Sequence, residues 1–198
     1  MTAVVFDIGG VLIDWAPHLA WQEELGSRDA AQAYMDRVGF YNLNLRADRG
    51  ELFSDLADEI EGQEDQDRLR SYPDVFERTI QNPVEGTWQI LQALVQQDIE
   101  LHTITNWSME TWPVGLRKFP KLTEVFGIIV VSGQVGVTKP NRGIFEALSS
   151  RAALGLDECI FIDDSADNVL GARVVGMDAI QFQNAGQLRG QLEHRGIL

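Results

Sequence analysis

A single cysteine, Cys159, stands in a chain of 198 residues, which excludes an intrachain disulfide and a cysteine-rich zinc site. Lysine is nearly as scarce, with Lys118, Lys121 and Lys139 against thirteen arginines. Positive charge is short overall: 16 Lys and Arg face 30 Asp and Glu, for a formal net charge of −14. No basic cluster is present to neutralise phosphate backbones, so nucleic acid is not expected as a partner. No apolar run approaches the roughly 18 residues that span a bilayer, so no membrane partner is expected either. The histidines, His18, His102 and His194, are scattered and imply no histidine metal cluster. Repeats and low-complexity tracts are missing, as are a Walker-type loop and the third glycine of a dinucleotide fingerprint. The start, Met1-Thr2-Ala3, lacks the basic region and cleavage site of a signal peptide. With 44% hydrophobic and 23% charged residues, the expectation is an acidic, soluble, cytoplasmic globular protein that acts on a small molecule. Its oligomeric state is left open.

What is present is a rhythm. Five β-type runs occur: Thr2 to Asp7, Ile99 to Thr105, Gly127 to Val131, Cys159 to Asp163 and Asp178 to Phe182. Near-continuous Val, Ile and Phe suit strands buried on both faces of a parallel sheet. Helical patterns over Pro83 to Gln97, Pro140 to Leu154 and Ala166 to Val175 alternate with the later strands, which predicts a doubly wound, Rossmann-like α/β core. About 90 residues separate the first two runs. Residues 15–83 fill that gap with helical segments at Ala30 to Val38, Leu52 to Ile60 and Leu69 to Thr79, and carry 15 acids against 7 arginines. A structureless loop of that length is uncommon, so a separate all-helical lobe, a cap, is expected over 15–83, with the core formed by 1–14 and 84–198. The acidic run Glu59 to Asp67 reads as a solvated turn between helices.

In open parallel sheets, ligands bind at the carboxyl ends of the strands. Four strand exits here carry polar groups: Asp7-Ile8-Gly9-Gly10, Thr105-Asn106, Lys139-Pro140 and Asp163-Asp164. Adjacent carboxylates at the end of a buried strand repel, and a hard divalent cation is the usual remedy. Together the groups make a coherent phosphoryl-transfer site. Asp7 is the carboxylate nucleophile. Thr105, Asn106 and the Gly9 and Gly10 backbone N–H groups hold phosphoryl oxygens. Lys139 offsets negative charge, and Asp7, Asp163 and Asp164 bind Mg²⁺.

The order Asp7, Thr105-Asn106, Lys139, Asp163-Asp164 resembles the haloacid dehalogenase (HAD) hydrolase superfamily across the whole chain, including a cap after the first motif. It looks most like the branch with a DD last motif, whose resemblance implies a Mg²⁺-dependent phosphatase of small metabolites, sugar phosphates among them. One departure stands out. Superfamily phosphatases usually carry an acid–base Asp two residues after the nucleophile, and here that position is Gly9. Its backbone carbonyl can still bind Mg²⁺, but it has no proton to give. Positioned acid–base catalysis is worth roughly 10²–10⁴-fold, or about 3–5 kcal/mol. Either the leaving group needs little protonation, or Asp14 or His18 substitutes, or the leaving group is halide. The last is the 2-haloacid dehalogenase alternative, metal-free with the same Asp7. Against it, Asp163 and Asp164 would repel a haloacid carboxylate. A non-catalytic binding protein that kept the fold is the third reading, disfavoured because Asp7 and Lys139 are both present. Cys159 is expected to be a buried, inert thiol. Trp15 and Trp107, flanking the first two motifs, are expected to wall the pocket or pack beneath the cap.

Overall fold

The computed structural model describes residues 2–198. Their strands are β1 (Ala3–Phe6), β2 (Leu101–Thr105), β3 (Ile128–Val131), β4 (Cys159–Asp163) and β5 (Asp178–Gln181). They form one parallel sheet in the order β3-β2-β1-β4-β5. β4 coincides with the run expected for it, and the other four lie inside theirs, one or two residues shorter. The chain is an α/β, Rossmann-like fold.

Alternation along β1 divides the core. Val4 and Phe6 face one side, where α5 (Glu85–Gln96) and α9 (Ala185–His194) bring Trp88, Leu91, Leu188 and Leu192. Ala3 and Val5 face the other, where α7 (Arg142–Ala152) and α8 (Ala166–Val174) bring Phe145, Leu148 and Ala172. A period of two on a strand produces this partition, and helices covering both faces explain why the strands read as continuous apolar runs.

Between β1 and α5 lie α1 (Arg28–Val38), α2 (Phe40–Ala47), α3 (Phe53–Asp58) and α4 (Gln63–Arg70), then short turns over Tyr72–Val75 and Phe76–Thr79. Two corrections to the sequence reading arise here. The acidic run is only partly a turn, because from Gln63 onward it is the start of α4, where Glu64 and Asp65 sit favourably at the N-terminus. The stretch from Leu69 to Thr79 is no single helix: Pro73 lies at the start of a new turn, and a proline inside a helix breaks it. Three helices also escaped notice, α2, α6 (Trp112–Lys118) and α9. Helix α2 follows α1 directly through Gly39, whose φ of 67° serves both as the end of one and the start of the next. Helix α6 contains Pro113 and Gly115, which dilute a helical pattern.

The helical segment does not keep a core of its own. Trp21, Tyr34, Phe40, Phe53, Tyr72 and Phe76 belong to the same buried cluster as Val4 and Phe6. Phe76 meets Trp107 with ring centroids 5.5 Å apart, carrying that cluster into the strand-exit loops. The two chain passages into and out of the segment are joined: Asp14 N–H donates to the Asn82 carbonyl and Ala16 N–H to that of Thr79. Among the described residues no helix is long and apolar enough to cross a membrane.

Trp21 is 1% exposed, stacked on Tyr72 at 5.2 Å and edge-on to Tyr34 and Phe40 at 4.8 and 5.2 Å. Trp21→Ala is expected to lower stability by about 3–5 kcal/mol, read as a shift of the urea midpoint at constant m-value.

Candidate active site

Register brings the strand exits together. Phe6 stands opposite Ile162, and Asp7 N–H donates to the Ile162 carbonyl. Asp7 and Asp163 therefore leave adjacent strands side by side. On the other flank Phe6 pairs with Thr103, and the chain beyond β2 turns out at Asn106. This is the crevice where ligands bind in doubly wound sheets.

Lys139 fills the space between the two acids. Its Nζ lies 2.8 Å from Asp7 Oδ1 and 2.7 Å from Asp163 Oδ2, and donates to the Ile104 carbonyl at 3.1 Å. All three side chains are buried. Asn106 fixes the lysine's backbone from both directions: its Oδ1 accepts from Lys139 N–H at 2.8 Å and its Nδ2 donates to the Lys139 carbonyl at 3.2 Å. Asp163 is saturated. Besides the lysine, it accepts from Ser165 N–H and from Asn168 Nδ2, which reaches back from the first turn of α8. Asp7 Oδ1 also accepts from Ile8 N–H at 2.7 Å. Among the described residues no donor reaches Asp7 Oδ2.

The charges do not balance. Burial pushes the Asp7 carboxyl up, to about 8, with Lys139 pulling against it and Asp163 pushing further. Burial alone would lower the Lys139 ammonium, but Asp7 and Asp163 more than offset that and hold it above its ordinary value. Burial and the neighbouring Asp163 also raise Asp164. Three carboxyl groups share one ammonium, and Asp7, Asp163 and Asp164 each offer an oxygen within 4.8 Å of the others. Hard oxygen donors carrying two uncompensated negative charges fit a divalent cation such as Mg²⁺.

Above this cluster opens a cavity of about 320 Å³. Asp7, Gly9, Gly10, Asn106 and Asp164 line its floor; Trp15, Phe76, Ile80 and Trp107 give it apolar walls. Thr105 is buried at the end of β2 and does not line it. Asp14 is exposed and His18 half-buried, and the cavity lining includes neither. Cys159 is buried, and burial raises its thiol to about 11, as befits an inert packing residue.

Sequence reasoning missed three polar lining residues: Asn44 and Asp48, from α2 and its C-terminal end, and Thr111, just before α6. Asp48 is 7% exposed, and burial pushes its carboxyl up to about 7. In the sequence it sits in Arg46-Ala47-Asp48-Arg49-Gly50, which reads as a polar turn. Only an unexplained acid beside a helix terminus could have drawn attention to it.

The family model of haloacid dehalogenase-like hydrolases matches residues 1–176. Flavin mononucleotide hydrolase 1 of Arabidopsis thaliana is 30% identical over 114 residues, 58% of this chain and 46% of that protein. Sesquiterpene phosphatase astK of Aspergillus oryzae is 25% identical over 185 residues, 92% of this chain and 90% of the other. The chain spans under half the length of the first curated relatives it matches. Among solved structures, a HAD family enzyme of Bacteroides thetaiotaomicron in complex with magnesium and inorganic phosphate superposes with a TM-score of 0.69 at 18% identity, covering 93% of this chain and 95% of that one. L-2-haloacid dehalogenase of Xanthobacter autotrophicus, with chloropropionic acid covalently bound, gives 0.64 at 17%, covering 100% and 84%. At such identities both likenesses speak for the fold alone.

Gly10 has φ of 74°, and a Cβ there would stand 2.5 Å from Asp164 Oδ2. Gly9 has nothing within 4 Å of its Cβ position. Gly10→Ala is expected to lower stability by about 1–2 kcal/mol from the left-handed backbone alone, whereas Gly9→Ala stays within about 0.5 kcal/mol of the parent. Chemical denaturation of the pair reads the difference.

Proposed function

We propose that this chain, which belongs to the haloacid dehalogenase-like hydrolases, is a phosphoric monoester hydrolase working through a covalent intermediate on Asp7. The observation that carries this reading is the composition of the cavity. Its lining contains three carboxyl groups, from Asp7, Asp48 and Asp164, and among the described residues no lysine or arginine. A haloacid carboxylate would meet only like charge there. The oxygens of Asp7 and Asp164, with the Gly9 carbonyl, would hold Mg²⁺, which would offset the like charge that a phosphate ester otherwise meets there. Asp163, engaged by Lys139, Asn168 and Ser165, contributes mainly by its charge. When bound, the ion supplies neutralisation of phosphoryl oxygens and orients the ester.

The protein's own groups do the rest. Asp7 Oδ2 attacks phosphorus in line with the ester oxygen, and the P–O ester bond breaks as the Asp7–phosphorus bond forms. Lys139, 2.8 Å from Asp7 Oδ1, pulls against the burial that raises that carboxyl and so favours the carboxylate form needed for attack. Gly9 and Gly10 expose backbone to the phosphoryl group, while Asn106 acts by fixing Lys139. Water then displaces phosphate from Asp7. Residues 15–83 serve as the cap, closing over the floor and excluding water until that second step. The apolar walls, with the Asn44 amide, suit a small neutral organic group, and a sugar ring resting one face on an indole is such a group.

The dehalogenase reading keeps one point in its favour, since halide departure needs no proton and Gly9 supplies none. The two separate cleanly in a paired assay. Phosphate release from sugar and aryl phosphates is expected with Mg²⁺, to vanish with chelator, and to fall on the order of 10⁴–10⁶-fold in Asp7→Asn. Halide release from 2-haloacids that persists in chelator, with no phosphate release, would overturn the proposal.

A further inference from the structure

Ester cleavage leaves an electron pair on the departing oxygen, and the position two residues past the nucleophile is Gly9. For an alkyl leaving group that oxygen needs a proton as the bond breaks. Only carboxyl groups titrate among the lining side chains. Asp7 is engaged as nucleophile, and Asp164 lies in the cation cluster beside Asp163. Asp48 remains, on a wall supplied by the helical segment.

Its surroundings suit a proton donor. It makes no ion pair among the described residues; its polar contacts are the Asn44 Nδ2, 3.2 Å from Oδ2, and a backbone hydrogen bond from Ser108. Lys139 acts on it only through its field. A carboxyl so placed is stabilised in its neutral form by burial.

Asp48 is also held firmly. Next to it, Arg49 Nε donates to Thr138 Oγ1 at 3.2 Å, one residue before Lys139. A Cβ on Gly50 would lie 3.4 Å from the Gly133 carbonyl, so the turn is in close contact with the loop after β3. Phe53 N–H donates to Glu110 Oε2 at 2.7 Å, beyond the exit of β2. Three attachments to the sheet's exit loops thus fix a residue that the chain carries on the helical segment.

Resting on the phosphatase reading, we propose that Asp48 is the general acid and base of this site, replacing from the cap what position 9 lacks. In the first step Asp7 Oδ2 bonds to phosphorus, the ester P–O bond breaks, and the Asp48 carboxyl gives its proton to the departing oxygen, so an alcohol leaves. In the second, the Asp48 carboxylate takes a proton from water as that water bonds to phosphorus. The bond to Asp7 then breaks and orthophosphate leaves, restoring the neutral acid.

A general acid is recognised by its dependence on the leaving group. The full-length protein with Mg²⁺ is assayed on phosphate esters from 2,4-dinitrophenyl phosphate, whose leaving group needs no proton, to simple alkyl phosphates. Asp48→Asn is expected to lose about 10²–10⁴-fold in kcat/KM on alkyl phosphates and less than tenfold on the dinitrophenyl ester. Asp48→Glu, which keeps an acid and guards against a folding defect, should recover at least tenfold over Asn on the alkyl esters alone. Asp14→Asn and His18→Gln should change neither. An equal loss across all esters, or an Asp48→Asn variant as fast as the parent on alkyl phosphates, overturns the role of Asp48 and leaves the phosphatase reading standing. A parent protein that hydrolyses no ester overturns both.

Discussion

A buried lysine held between two buried carboxylates is the constraint around which this protein is arranged. Lys139 bridges Asp7 and Asp163 from adjacent strands, and removing such groups from water is costly unless geometry is good and every donor is satisfied. Much of the neighbouring structure supplies those conditions. The β1–β4 register sets the two acids side by side, the Ile104 carbonyl takes another of the ammonium's hydrogens, and Asn106 holds the backbone that carries it. Gly171 lets α8 press against the next residue, since a Cβ there would stand 2.6 Å from Pro140 Cβ. The same packing engages one oxygen of Asp7 and leaves the other open to the cavity, as the proposed attack on phosphorus requires.

The cavity divides its labour by chain segment. Its floor comes from the strand exits and is acidic; much of its wall comes from residues 15–83 and is apolar, apart from Asn44 and Asp48. Under the proposed function, the floor would meet the phosphoryl group and the walls the rest of the ester. Variation in the helical segment would then leave the ion pair below undisturbed.

Much of this was legible in the sequence because of where polarity interrupts apolarity. Cys159 to Asp163 reads as a strand to its last residue, since four apolar residues end on two acids, and the same contrast marks Asp7 and Asn106. What stayed hidden depends on distant partners. Asn106, expected to hold phosphate, also clasps the Lys139 backbone, and Asp163, expected to hold metal, also accepts from Asn168 and Ser165. Asp48 is the clearest case, because Ser108, which hydrogen-bonds to it, and Thr138, which holds its neighbour Arg49, lie far along the chain where no local pattern connects them to α2. Helices α2 and α6 were obscured more simply, by Gly39, Pro113 and Gly115.

The paired passages at residues 14–16 and 79–82 have one further consequence. Because these two lengths of chain hydrogen-bond to each other, everything between them leaves and re-enters the sheet domain at a single place, on a short two-stranded ribbon. An element inserted in this way adds little to the entropy of closing the surrounding chain, whatever its length, since its ends are already together. The junction thus sets where the helical segment begins and ends, while the aromatic residues it shares with the cluster of Val4 and Phe6 set how it lies against the sheet.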